Sequence, residues 1–240
     1  MARARASSRA AAPRRLPRGR HALAPEEVAR DQRERLIAAV PGVVAEKGYA
    51  ATSVADIVRA AAVSRNAFYK NFADKQECFA VAYDAGHERL FEVLTAPCES
   101  GGTVEERVEG SLMTGLAALA GEPALARMLF VEAPAAGEEI ALRYHQWLGR
   151  YGKLLRAAAA EPSPDAIPPV ELEPVIVGGI ASRIGAEVLR GRTAHLPELI
   201  EPIARYVLAF YALAEAASAA SSSAASPARG ARRSQRQTAA

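Results

Sequence analysis

Residues 52–72 read TSVADIVRAAAVSRNAFYKNF and predict two short helices joined by a tight turn. A threonine and a serine at positions 52 and 53 can each cap the first helix, and Ser64 can cap the second by accepting a hydrogen bond from an early backbone N–H. Phe68 and Phe72 are four residues apart, so both face the same side of the second helix and belong to the core. Helix, short turn and helix are the sequence pattern of a helix-turn-helix.

Helical spacing of apolar residues continues through most of the chain, and no run shows the strict alternation of a half-buried strand. We therefore predict an all-α fold. The first helix is expected from about Pro25 to Lys47, where Gly48 ends it, and Pro41 predicts a kink inside it. The remaining helices are expected at about residues 74–95, 103–120, 123–132, 137–160, 170–190 and 197–216.

The composition argues against several functional classes. The 240 residues include two cysteines, too few for a disulfide framework or a cysteine metal cage, and four histidines without the spacing of metal ligands. No apolar run reaches the roughly 18 residues of a membrane span. The sequence shows no recognisable catalytic Ser/His/Asp set and no catalytic pair of carboxylates. We expect a cytoplasmic protein with no metal site, no cofactor, no membrane partner and no enzyme activity.

The formal net charge of +3 is unevenly distributed. Residues 1–25 carry seven arginines and residues 216–240 carry four, with no acid in either segment, which leaves −8 for residues 26–215. Both terminal segments are rich in Ala, Ser and Pro, a composition that predicts disorder. The first segment can add contacts to a polyanion such as DNA, or both segments can be solvated tails without a specific role.

Several short motifs follow one another in a specific order and spacing: Gly48-Tyr49, Thr52-Ser53-Val54, Asp56-Ile57, Val63-Ser64, Phe68-Tyr69, Phe72 and Asp74-Lys75. This series resembles the DNA-binding head of the tetracycline-repressor (TetR) family of bacterial transcription regulators, over about residues 30–80. The resemblance implies a homodimer in which a three-helix head is followed by a helical body for ligand binding and dimerisation. Ala62 stands where the family usually has glycine, and it is tolerated if its φ need not be positive.

The helix pattern and the resemblance together divide the chain into four segments. We expect a disordered basic arm, a helix-turn-helix DNA-binding domain, a helical effector-binding and dimerisation domain, and a disordered basic tail, at residues 1–25, 26–80, 81–216 and 217–240 respectively. In the family, the last two long helices form the four-helix bundle of the dimer.

The second helix of the motif would enter the major groove with its N-terminal residues toward the base edges. There Arg65 can bond to guanine, Asn66 can bond to adenine, and the small Ala67 can contact a thymine methyl. Hydroxyl and amine groups nearby suit the phosphates. The predicted DNA-binding residues are Thr52, Ser53, Ser64, Arg65, Asn66, Ala67, Tyr69, Lys70 and Lys75. The predicted partner is double-stranded DNA with a palindromic operator, because a dimer presents two heads about one DNA turn apart.

Aromatic and sulfur-bearing side chains recur at helical spacing between residues 103 and 190, where the helices of the family enclose a ligand pocket. The predicted effector is a small apolar molecule, and its predicted contacts are Met113, Phe130, Tyr144, Trp147 and Arg183. The stripe of residues that contains Tyr144 and Trp147 can instead belong to the hydrophobic core, without a role in ligand binding. Arg183 can anchor an anion or face solvent.

Two functions from different classes fit these features. The first is a bacterial, nucleoid-associated transcription regulator, a repressor that a small apolar ligand releases from its operator. The second is an all-helical small-molecule-binding protein or enzyme that does not act on DNA.

Overall fold

The computed structural model describes residues 25–99, 102–159 and 173–224. Those residues form nine α-helices and contain no strand, which confirms the predicted all-α class. Short helices of other types lie at Met128–Glu132, which is a π-helix, and at Ala133–Ala136 and Thr193–Leu199, which are 3₁₀-helices. The α-helices are α1 Pro25–Lys47, α2 Val54–Ala61, α3 Arg65–Asn71, α4 Lys75–Glu99, α5 Val104–Gly121, α6 Pro123–Arg127, α7 Glu138–Ala159, α8 Glu173–Leu189 and α9 Ile200–Ala224.

The two predicted basic segments fall largely outside these residues. The arm predicted at residues 1–25 lies outside the described ranges except for Pro25, which begins α1. The last helix, α9, reaches Ala224, so the chain stays helical past the boundary predicted at residue 216. The rest of the predicted tail lies outside the described ranges.

Helix α1 has the predicted bounds. Gly48 follows it with a φ of 78°, and the Gly48 N–H donates to Val44 O at 2.8 Å, as expected of a glycine that ends a helix. The helix continues through Pro41, and the kink that we expected there stays a prediction. Val40 and Val44 are fully buried on either side of Pro41, so packing holds both halves of the helix against one core.

Side-chain caps define the helices of the motif. Ser53 caps α2 by accepting a hydrogen bond from Asp56 N, and the Asp56 carboxylate accepts one from Ser53 N at 3.1 Å in return. Ser64 caps α3 by accepting one from Ala67 N at 3.1 Å, as predicted. Between the helices, Ala62 has a φ of 51°, which costs a residue with a side chain about 1–2 kcal/mol. The φ of Ala62 is thus positive, and the alanine at this turn is strained.

Helix α4 joins the head to the body and is longer than predicted. It should have ended near residue 95, because Pro97 has no N–H to donate to Val93 O. The Thr114 hydroxyl of α5 donates to Val93 O instead, at 3.0 Å. The same hydroxyl also lies 3.1 Å from Gly110 O and 3.0 Å from Ser111 O, so its one hydrogen is shared among three acceptors, and α4 continues through Pro97 to Glu99.

The body is built from α5 to α9 and the second half of α4. The helix predicted at residues 123–132 is α-helical only to Arg127 and continues as the π-helix. Helix α8 packs closely against this π-helix, since a methyl group added at Gly185 would lie only 3.0 Å from Phe130 O. The predicted helix at 197–216 begins as a 3₁₀-helix and becomes α-helical at Ile200.

Within the described ranges, no single helix is both long and apolar enough to cross a membrane. Helix α5 and the segment Pro123–Ala136, bent from it by 103°, meet the requirement of length and composition only as a joined pair. The same residues contain no group of three or more His, Cys, Asp or Glu side chains that could hold a metal ion.

Candidate nucleic-acid interface and ligand cavity

Helix α3 presents a polar face to solvent. Arg65, Asn66, Tyr69 and Lys70 are exposed, with Tyr69 at 53% of its full surface. The opposite face is held in the head because Phe68 is completely buried. Cationic, amide and phenolic groups on one short exposed helix can bond to base edges and phosphates.

The other predicted DNA contacts differ in exposure. Ser53 and Ser64 are exposed, and each also caps its helix. Thr52 is buried and its hydroxyl donates to Gly48 O at 2.8 Å, while Ala67 is buried beneath α3. Burial leaves the side chains of Thr52 and Ala67 little surface for a phosphate or a thymine methyl, because both are turned toward the core that the head needs for its own stability.

Lys75 is half-buried and already engaged within the head. Its Nζ donates to Tyr49 O at 3.0 Å and lies 4.3 Å from the centre of the Tyr49 ring. The ammonium group therefore holds the loop before α2 against the start of α4.

Two arginines of α1 brace the motif, and the sequence pattern did not reveal them. Arg35 donates to the carbonyl oxygens of Ala61 and Ala62, at 2.5 and 2.7 Å, where α2 ends. Arg33 donates to Asn71 O at 3.2 Å, where α3 ends. Cationic groups at the negative ends of two helix dipoles fix the orientation of α2 and α3 relative to α1.

A buried carboxylate of the body also bonds to the head. Glu132, the last residue of the π-helix, accepts a hydrogen bond from Tyr49 N at 3.0 Å through Oε2. Its Oε1 pairs with Arg127 at 2.9 Å. Since Tyr49 lies in the loop between α1 and α2, the head is attached directly to the π-helix.

A cavity of about 140 Å³ lies within the body, between α4, α5, α7 and α8. Its wall is almost wholly aliphatic and aromatic, and none of the described residues that line it is Asp, Glu, Lys or Arg. Such a cavity favours an uncharged, apolar occupant.

Three of the five residues predicted to bind a ligand line this cavity: Phe130, Tyr144 and Trp147. Met113 does not, because its side chain is on the outer face of α5 and 57% exposed. Arg183 does not line it either, because it is half-exposed and forms an ion pair with Glu187, one turn along α8. The expectation of an anion anchor at Arg183 is therefore not supported by its position.

The cavity also contains a histidine that the sequence pattern missed. His87 of α4 is 3% exposed, and its ring stacks on Trp147 with centroids 4.9 Å apart. Its Nδ1 lies 3.0 Å from the Tyr151 hydroxyl. Burial, with the nearby Arg150 charge as a smaller cause, lowers the pKa of His87 to about 3, so the ring is neutral at physiological pH. The only sequence signal was its place between aromatic residues at helical spacing, Tyr83 and Phe91.

Comparison with known proteins gives a family match for the head. Residues 36–82 match the model for bacterial regulatory proteins of the tetR family. A comparison with curated protein sequences gave no match.

Solved structures match over most of their length. The fatty acid degradation regulator FadR from Bacillus halodurans has a TM-score of 0.66 at 22% identity, over 74% of this chain and 94% of that one. FadR from Bacillus subtilis, in complex with stearoyl-CoA, has a TM-score of 0.63 at 18% identity, over 72% and 96%. The TetR family regulator PfmR from Thermus thermophilus has a TM-score of 0.59 at 18% identity, over 73% and 95%.

At these identities the structural likeness shows a common fold, and the family model adds the specific motif of the head. Both agree with the capped α2–turn–α3 unit and with the helical body that follows it. Residues 36–82 therefore match the tetR family of bacterial regulatory proteins, and the chain as a whole shares its fold with the FadR structures.

Proposed function

We propose that this protein is a DNA-binding transcriptional repressor that leaves its operator when a small apolar molecule occupies the cavity of the body. The observation that carries the proposal is the exposed polar face of α3, on a head that matches the family model. Arg65 and Asn66 are the proposed base contacts, and Tyr69 and Lys70 are the proposed phosphate contacts.

The π-helix offers a direct route from ligand to head. Phe130 lines the cavity, and Glu132, two residues along the same π-helix, accepts the hydrogen bond from Tyr49 N. A ligand that moves Phe130 therefore also shifts the attachment of the head. Operator affinity changes if the ligand binds the two head positions with different affinities.

We further propose that the protein acts as a homodimer through α8 and α9. Four large apolar side chains on these helices are exposed in the single chain: Val175, Leu189, Tyr206 and Leu213. Exposed apolar surface on two neighbouring helices supports a helix-to-helix interface between two copies. Such a dimer would present two α3 helices to a palindromic site.

We propose that residues 26–80 form the DNA-binding head and that residues 81–216 form the body, which binds the effector and dimerises. The solved relatives named above are described as regulators, which supports a role in binding rather than in catalysis. The site of action would be the bacterial chromosome in the cytoplasm.

The effector need not be the ligand of a relative. The stearoyl chain bound by FadR from Bacillus subtilis has eighteen carbons, whereas an apolar cavity of about 150 Å³ holds one benzene ring. The cavity here, at about 140 Å³, therefore matches a ring-sized ligand.

The test is a footprint on the DNA upstream of the protein's own gene, measured at low salt. We expect a protected palindromic site that disappears in the Arg65→Ala and Tyr69→Ala double variant, because about 1–3 kcal/mol of base discrimination is lost with the arginine alone. Lys153→Ala, an exposed lysine on α7, is the control and should keep the footprint. If the wild-type protein protects no site on any neighbouring promoter, the proposed function is wrong.

A further inference from the structure

A side chain that lines the cavity, His87, carries one buried polar atom that has no partner among the described residues. Of the side chains that line the cavity, His87 alone carries a buried nitrogen or oxygen, Nε2, without a hydrogen-bond partner among the described residues. Two other polar groups at the wall are engaged, since Trp147 Nε1 donates to Asp84 at 3.0 Å and the Ser111 hydroxyl donates to Leu94 O at 3.0 Å. An unpaired buried polar atom costs about 1–3 kcal/mol, and a ligand that bonds to it recovers that cost.

The tautomer of His87 follows from its contacts with Tyr151. The Tyr151 hydroxyl donates to His87 O at 3.3 Å and lies 3.0 Å from His87 Nδ1. A hydroxyl has only one hydrogen, so both contacts are separate hydrogen bonds only when Nδ1–H donates to the Tyr151 oxygen. In this tautomer Nε2 carries a lone pair and accepts a hydrogen bond.

The charge of the ligand follows from the surroundings of the cavity. The Arg150 guanidinium lies over the Trp147 ring at 4.1 Å and pairs with Glu88, and neither charged residue lines the cavity. A carboxylate would therefore be buried without a cationic partner, at a cost of several kcal/mol. A neutral ring at His87 does not supply the missing charge.

We propose that the cavity binds a neutral, ring-sized apolar molecule with one hydroxyl group, which donates its hydrogen bond to His87 Nε2. This inference rests on the proposed function only for the role of the ligand as an effector, because the binding itself can be measured without DNA. The hydroxyl is the recognition element, and the apolar wall formed by side chains such as Leu90, Leu116 and Ile184 takes the ring.

Three probes of matched size separate the possibilities in isothermal titration calorimetry on the full chain. Cyclohexanol can donate a hydrogen bond, cyclohexanone can only accept one, and cyclohexanecarboxylate is an anion. We expect cyclohexanol to bind about tenfold more tightly than cyclohexanone, which corresponds to one neutral hydrogen bond, and the anion to show no binding at pH 7. Equal binding of alcohol and ketone, tighter binding of the ketone, tighter binding of the anion, or no binding of any probe would overturn the proposal.

Two variants test whether His87 is the recognition group. His87→Phe should bind alcohol and ketone with equal affinity, whereas His87→Gln keeps an oxygen acceptor at this position and should restore a preference for the alcohol. An unchanged preference in His87→Phe contradicts the inference. Should His87→Phe fail to fold, as judged by circular dichroism, the wild-type comparison of the three probes still decides the matter.

The two proposals fail in different ways. Specific DNA binding without any probe binding contradicts the inference and leaves the DNA-binding role intact. Probe binding with the expected preference, but without any effect on a bound operator, supports the inference and contradicts release by a ligand of this class.

Discussion

The backbone N–H of Tyr49 in the head donates to the Glu132 carboxylate in the body, across 3.0 Å and 83 residues of sequence. The bond is buried, and the other oxygen of the carboxylate pairs with Arg127 at 2.9 Å. Phe130, in the same π-helix, lines the cavity. One short element therefore both lines the cavity and contacts the candidate DNA-binding head, and π-helical turns are frequent at functional sites.

Removal of this carboxylate should weaken both the fold and the ligand response. Glu132→Ala leaves Tyr49 N–H buried without an acceptor, which we expect to lower the free energy of unfolding by about 1–3 kcal/mol. Glu132→Gln keeps an acceptor and should lose less. Urea denaturation checks the stability, and a gel-shift titration checks the response of operator affinity to ligand. Glu109→Ala, an exposed site on α5, is the control, and an equal loss there would refute a specific role for Glu132.

Ala62→Gly should stabilise the head. Ala62 is exposed with a φ of 51°, so glycine removes the strain of the left-handed conformation without loss of packing. Part of that gain is offset by the greater freedom of glycine in the unfolded chain, and we expect a net gain of about 0.5–1 kcal/mol. Ala60→Gly, in the last turn of α2, should lower stability instead by up to about 1 kcal/mol. Thermal denaturation of both variants checks the opposite signs, and a lower melting temperature in Ala62→Gly would show that the turn is not strained.

The stability of the head should depend on pH through Asp56. Hydrogen bonds from Lys47 and Ser53 hold the pKa of Asp56 well below its ordinary value. A carboxylate with a lowered pKa in the folded state stabilises the fold fully at neutral pH, and this contribution disappears as the pH falls below about 4. The difference in stability between the wild type and Asp56→Asn should therefore shrink with falling pH, in circular-dichroism melts from pH 7 to pH 3. A difference that stays constant with pH would contradict this role, and Asp31→Asn, in a looser surface pair at 3.6 Å, provides the comparison.

Lys70 should contribute charge rather than sequence preference. As an exposed lysine on α3, it is placed to neutralise one phosphate. Lys70→Ala should weaken binding to all DNA sequences alike and reduce the slope of log affinity against log salt by about one. Fluorescence anisotropy on operator and unrelated DNA, over a range of salt concentrations, measures both effects. A loss confined to the operator would instead assign Lys70 to base contact.

Leu213→Glu should separate the proposed dimer. Leu213 is 71% exposed on α9, so the substitution leaves the core of the single chain intact and places a charge in the proposed interface. Sedimentation analysis should show a shift from dimer toward monomer. Leu142→Glu, at a residue of α7 that is 59% exposed, should not change the assembly. A wild-type chain that sediments as a monomer would contradict the dimer itself.

The helix-turn-helix could be derived from sequence because its determinants are local. The cap of α3 joins Ser64 to Ala67, three residues apart, and Phe68 and Phe72 lie one turn apart on the same buried face. Interactions between residues so close in the chain form whenever the helix forms. For the same reason, the bounds of α1 and the cap of α2 agree with the sequence pattern.

The residues that line the cavity were predicted only in part, because helical spacing tells which residues share a face but not which neighbour that face meets. Phe130, Tyr144 and Trp147 face the cavity, whereas Met113 faces outward on α5 and Arg183 faces Glu187 on α8. The packing of α4, α5, α7 and α8 against one another decides these directions.

By itself the sequence determined the all-α class, the motif of the head and the uneven charge of the chain. Tertiary structure alone decided that α4 passes through Pro97, that Glu132 holds the head, and that His87 stands at the cavity wall with one free nitrogen. Each of these depends on a partner far along the chain: Thr114 for Val93 O, Tyr49 for Glu132, and Tyr151 for His87. A hydrogen bond between residues far apart in the chain forms only after whole helices have packed, so no local pattern of residues can predict it.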